Sequence, residues 1–257
     1  MTVREQIKID VLGTTDVRVG GRSVHLGGPK QRALLAALVL RHGRVVAIDQ
    51  LVDVLWPDGP PATAITKVQG HVCTIRKALA ERGRTDGISA LETRPPGYLL
   101  RREPVSTDLT RFDALTTAAA AAREQGDRHR AAGLLGVALG LWRGPAFADV
   151  PAPAIRAVAD RLAERRLATA EDKAEIDLSL GRCREVLDEL GALIRRYPMR
   201  DRLRELQLVA LVRLDRTNEA LDHYRHWSLL LRRERGVEPG RRVQELVAGI
   251  GRQSPFV

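Results

Sequence analysis

Between Ala62 and Arg102 the sequence collects the residue types that proteins use to hold nucleic acid. Within ATAITKVQGHVCTIRKAL, Thr63, Thr66, Lys67, Gly70, Thr74 and Lys77 recur at spacings that bring them to one side of a helix. Hydroxyls can donate to or accept from base edges, ammonium groups neutralise phosphates, and a glycine lets a backbone come close. His71, Cys73 and Arg76 fall on the flanks of that face. Arg76 and Lys77 would extend toward phosphates, and His71 would either donate to a phosphate or pack. In ETRPPGY at 92–98, Arg94 sits at the tip of a stiff proline turn, where an arginine suits the negative potential of a narrow minor groove. Tyr98 closes that motif and fits the core, a phosphate contact, or both. The same helix face would also serve as an ordinary solvated surface, so the elements around it have to decide.

Chemistry of other kinds finds no support. The sequence has no His-Glu-x-x-His, Cys-x-x-Cys, Gly-x-Ser-x-Gly or phosphate-loop Gly-Lys-Ser/Thr motif. GGRSVHLGGPKQR is glycine-rich but lacks that lysine-hydroxyl ending. His223 and His226 share a helix face without a third ligand, and Glu171/Asp172 and Asp188/Glu189 lie in arginine-rich helical segments that read as ion-pairing faces. No catalytic residue, metal site or cofactor is expected.

The chain has 257 residues and a net charge of +10, which favours a polyanionic partner. The excess is uneven: residues 1–104 hold 16 Lys+Arg against 10 Asp+Glu, leaving 26 against 22 for the remainder. Cys73 and Cys183 have no metal or disulfide spacing, and no window is apolar enough to span a membrane, so a cytoplasmic protein is expected.

The elements that must position the face follow from periodicity. IKIDVL at 7–12, Asp16–Val19 and Ser23–Leu26 alternate around glycines and predict a three-stranded antiparallel sheet. Pro29 opens a helix that Gly43 ends, Val45–Val46 form a short strand, and Ile48–Trp56 a second helix broken by PDGPP. In the third helix Ile65, Val68, Val72, Ile75 and Leu79 form the apolar stripe. Ile88–Leu91 and Tyr98–Leu100 read as strands joined by ETRPPG. Sheet, three helices and hairpin in that order suggest a helix-turn-helix with a wing. From Thr107 onward the pattern is helical, with candidates at 108–126, 127–143, 154–180, 182–197, 200–214, 217–235 and about 239–250. GRCREVLDEL at 181 and DRTNEALDHY at 215 repeat after 34 residues, the tetratricopeptide period. A plain helical bundle is the alternative.

PKQRALLAALVLRHGRVVAIDQLVDVLW, PPATA, HVCTIRKAL and TRPPGYLL resemble the OmpR-type winged helix of the Streptomyces antibiotic regulatory protein family. LWRGPAFAD, ATAEDKAEIDLSLGRCREVLDEL, YPMRDRLRE, NEALDHYR and RGVEPGRRVQEL resemble that family's bacterial transcriptional activator domain. The expected fold is therefore mainly α with a small β component. Residues 1–104 would be the winged helix-turn-helix and 105–257 an all-α, tetratricopeptide-like domain.

The resemblance implies an activator that binds tandem direct repeats in promoter DNA as a side-by-side dimer. It would contact RNA polymerase or its sigma factor and switch on an antibiotic biosynthesis cluster. Carried over residue by residue, Thr66, Lys67, Gly70 and Thr74 would set sequence preference, and Arg76, Lys77 and Arg94 would supply affinity. The chain departs from the family where arginine is common and Thr74 stands, and where a branched residue is common and Gly70 stands. Rival readings are a repressor or nucleoid-type binder, and a protein-interaction adaptor with a vestigial winged helix.

Overall fold

The computed structural model describes residues 7–80 and 89–253, with side chains to residue 250. Its first strands are β1 (Ile7–Asp10), β2 (Asp16–Val19) and β3 (Arg22–Ser23). The helices α1 (Pro29–Leu40), α2 (Ile48–Leu55) and α3 (Ala64–Ala80) follow, with β4 (Val45–Ala47) between the first two. The wing is β5 (Leu91–Arg94) and β6 (Gly97–Leu100), and β7 (Val105–Thr107) precedes seven further helices. These are α4 (Asp108–Glu124), α5 (Arg128–Gly140), α6 (Pro153–Ser179), α7 (Cys183–Arg196), α8 (Asp201–Arg213), α9 (Thr217–Arg235) and α10 (Arg241–Gln253). The chain is mainly helical, with a winged helix followed by a helical array.

Three sequence expectations are corrected. The N-terminal sheet has four strands in the order β3-β2-β1-β7, because Val105–Thr107 returns to pair parallel with Ile7–Ile9. Three residues ending a Pro-containing stretch carry too little alternation to announce a strand. Ile65 is not in the core but 52% exposed, and Ala64 and Ala78 are buried on the inner face with Val68, Val72, Ile75 and Leu79. The wing strands also reach further into ETRPPG than expected. Arg94 pairs with Gly97 across a two-residue turn, while Ile88 lies outside the described residues.

The described residues divide into two compact units, each discontinuous in sequence: those up to Thr117 with Val137–Arg166, and Ala118–Gly136 with those from Leu167 onward. In the first, Asp108 is buried at the start of α4 and accepts the Val11 N–H at 2.8 and 2.9 Å and the Leu12 N–H at 2.8 Å. The stretch after α5 extends this clamp, with Arg143 N–H donating to the Leu12 carbonyl at 2.8 Å and Phe147 N–H to that of Val11 at 2.9 Å. In the second unit one turn recurs three times. Gly126, Gly181 and Asp215 take left-handed φ values of 79°, 80° and 59°. The next residue's N–H then reaches back five positions: Asp127 to Ala122 at 2.9 Å, Arg182 to Asp177 at 3.0 Å and Arg216 to Leu211 at 2.9 Å. This is the helix-ending turn in which the donor beyond the left-handed residue satisfies a last-turn carbonyl. The Gly181 and Asp215 turns lie 34 residues apart, the interval of a tetratricopeptide-like array.

The wing is set against the helices by a close backbone approach. Gly97 pairs with Ala47, and a Cβ on Gly97 would overlap the Val46 carbonyl oxygen and lie 2.8 Å from the Ala47 Cα. The Ile48 N–H opening α2 donates to the Pro96 carbonyl at 3.1 Å, tying the wing turn to the same spot. Gly97→Ala is therefore expected to lower stability by about 1–3 kcal/mol, because backbone rather than a flexible side chain must give way. Denaturant unfolding of the variant checks this, and an unchanged midpoint would contradict it.

Candidate nucleic-acid interface

α3 begins just after Pro61 ends the PDGPP loop. The Ala64 N–H donates to the Pro61 carbonyl at 2.8 Å and the Lys67 N–H to that of Thr63 at 3.0 Å, closing the first turn. From there the buried stripe fixes which way the other residues face. Thr66, Lys67, Gly70, Thr74 and Lys77 are all exposed on α3, as the spacing predicts. A Cβ on Gly70 would meet nothing within 4 Å, so the free protein does not require glycine there. Thr74 Oγ1 donates to the Gly70 carbonyl at 3.1 Å, which commits its proton to the helix.

The flanking residues are committed to the protein in different ways. Arg76 donates from Nε to the Leu91 carbonyl and from Nη2 to Thr93 Oγ1, both at 2.8 Å, and its guanidinium lies 5.8 Å from the Tyr98 ring centroid. The sequence expectation that it extends toward phosphate gives way to this: it joins helix to wing. Tyr98 is buried at 5% exposure, which selects the core among the roles open to it. His71 stacks on Trp56 with centroids 6.5 Å apart, while the Lys30 ammonium lies 4.5 Å from the centroid of the Trp56 ring and donates to the Leu55 carbonyl at the end of α2. Burial, then the neighbouring charges of Lys30 and Lys67, hold the His71 imidazole below its ordinary pKa.

On the wing, Arg94 is exposed and pairs with Glu92 at 3.1 Å. Glu92 also pairs with Arg101, and the hydrogen bonds from Arg101 and Arg94 hold its carboxyl below the usual range. Arg94 is thus oriented along the strand rather than free.

Two outward residues of α3 escaped the sequence reading. Gln69 and Ile65 are exposed one helical turn apart. Taking Ile65 into the apolar stripe turns the predicted inner face toward it, and the sequence reading assigns Gln69 to no face. Weighting the buried alanines Ala64 and Ala78 would have placed both outside. Cys73 is also fully outward rather than flanking.

Family comparisons bear on this geometry. The model described as "Transcriptional regulatory protein, C terminal" matches residues 21–100, and the bacterial transcriptional activator domain matches residues 107–250. DnrI of Streptomyces peucetius, a regulatory protein, is 36% identical over 98% of this chain and 94% of its own length. The chain belongs to the Streptomyces antibiotic regulatory protein family. Membership places it among transcriptional regulators, and the matched models describe a regulator's C-terminal domain and a bacterial transcriptional activator domain. AfsR of Streptomyces griseus is 38% identical over 94% of this chain, which spans only 24% of that longer protein. A solved structure of Mycobacterium tuberculosis EmbR, in complex with a low-affinity phosphopeptide, superposes with a TM-score of 0.90 at 33% identity, covering 98% of this chain and 67% of that one. No helix among the described residues is long and apolar enough to cross a membrane.

His42 resembles His71 electrostatically: burial lowers its pKa, against a raising bond to the Arg101 carbonyl at 2.9 Å, with Arg102 lowering it further. Both rings therefore bind fewer protons folded than unfolded just below pH 6.5, and stability falls as pH drops from 6.5 through the folded values. An NMR titration of the free protein should give both rings midpoints under 6.5, and midpoints at or above 6.5 would contradict the placement.

Proposed function

We propose that the protein is a sequence-specific activator that binds tandem direct repeats upstream of promoters as two protomers side by side. Residues 1–104 form the DNA reader in this proposal. Residues 105–257 support the protomer contact and touch RNA polymerase or its sigma factor. α3 lies in the major groove, Arg94 meets the adjacent minor groove, and Lys67 and Lys77 neutralise phosphates. Thr66, Gly70 and Thr74 line the groove, His71 offers a neutral ring N–H to a phosphate, and Arg76 and Tyr98 hold the wing in place. Repeats about 10–11 bp apart put both protomers on one face of the duplex.

The observation that carries this reading is the outward face of α3. The side chains of Thr66 and Lys67 make no hydrogen bond or ion pair among the described residues, and the glycine between the base-facing positions opens onto empty space. A glycine in mid-helix costs about 1 kcal/mol relative to alanine, a loss that close approach to DNA offsets. The activator half supports a positive rather than a repressive role, since its family is described by transcriptional activation. The family also supports control of a secondary-metabolite, antibiotic-type gene cluster.

Run-off transcription with purified polymerase on a promoter the protein binds separates activation from repression. Transcript should rise with added protein. Occupancy of the promoter without stimulation would exclude the activator role.

A further inference from the structure

We propose that Gln69 and Ile65 read an adenine and a thymine in the target, so that A·T pairs lie under the first turns of α3. This rests on α3 occupying the major groove. Ile65 exposes 52% of its surface, and Gln69 follows at i+4 on the same side of the helix, outside the stripe of Ala64, Val68, Val72, Ile75 and Leu79. The Gln69 carboxamide makes no hydrogen bond among the described residues.

A carboxamide presents one acceptor beside donors, which matches the N6–H and N7 edge of adenine. Guanine shows two acceptors there, so one partner of the carboxamide would face like against like. Ile65 offers only apolar atoms, and its counterpart in the groove is the C5 methyl of thymine. Among the other outward residues, Thr74, Gly70 and Lys67 discriminate less. The Thr74 Oγ1–H already donates to the Gly70 carbonyl at 3.1 Å, Gly70 has no side chain, and Lys67 only donates. Residues at i and i+4 have Cβ atoms about 6 Å apart, and base pairs rise about 3.4 Å per step, so the two A·T pairs fall within about two steps of each other.

The test uses the full chain: selection from a random duplex library, then anisotropy titrations on the selected duplex with single bases exchanged. The wild type should prefer adenine at one position by roughly 5- to 150-fold, and Gln69→Ala should bring that position near parity. Gln69→Glu, which keeps the shape but only accepts, should move the preference to cytosine. Uracil in place of the thymine removes one methyl group alone. It should weaken the wild type about 4-fold and leave Ile65→Ala unaffected.

Unchanged preferences in both Gln69 variants, or an equal uracil effect in wild type and Ile65→Ala, would overturn the proposal. A wild type that selects a motif and fails these substitutions leaves the DNA-binding reading standing. A wild type that binds no duplex removes both.

Discussion

Arg76 fixes the distance between α3 and the wing. Its Nε–H and Nη2–H reach the Leu91 carbonyl and the Thr93 hydroxyl at 2.8 Å each, so the first wing strand is held by the helix that faces outward beside it. A helix in one groove and a wing in the next must keep a set separation, and a planar guanidinium with two directed donors sets it better than a flexible ammonium. The Gly97 approach to Val46 and Ala47 fixes the opposite side of the same hairpin, and the Ile48 bond to Pro96 fixes its turn. The groups proposed to meet DNA therefore sit on a scaffold whose spacing comes from backbone contacts and one buried-edge arginine, while Lys67 and Arg94 remain exposed.

The winged helix is not closed by its own residues. β7, the Asp108 carboxylate and the Arg143–Ala148 connector complete the sheet and the exit of β1, all within the first compact unit. Asp108 accepts three contacts from two N–H groups, and burial nevertheless pushes its pKa up against those bonds and Arg143. A buried carboxylate in that position is costly unless its donors stay in place. Asp149 adds to the same unit by accepting from Thr15 at 2.8 Å and pairing with Arg32 at 3.1 Å. Residues from the start of the activator-like half thus form part of the structure that carries the reader.

Much of this was legible in the sequence. Pro29, the PDGPP break, the helical periods after Thr107 and the 34-residue repeat placed nearly every helix to within a few residues, because each rests on local chemistry. The exposed row from Thr66 to Lys77 was legible for the same reason. What was missed depended on partners distant in sequence. β7 is a strand only because β1 lies beside it, and Asp108 is important only because two N–H groups converge on it from 96 and 97 residues away. Arg76 carries a charge that suits phosphate, and only the position of Leu91 and Thr93 reveals its use. Ile65 looked like core because large apolar residues were weighted over the alanines that occupy the inner face.

The central claim is that α3 and the wing hold DNA through Lys67 and Arg94. Titrations of Lys67→Ala and Arg94→Ala against target and unrelated duplexes over a range of salt concentrations test it most directly. Each substitution should weaken binding across sequences and reduce the slope of log affinity against log salt by about one. Wild-type affinity and slope in both variants would contradict the account.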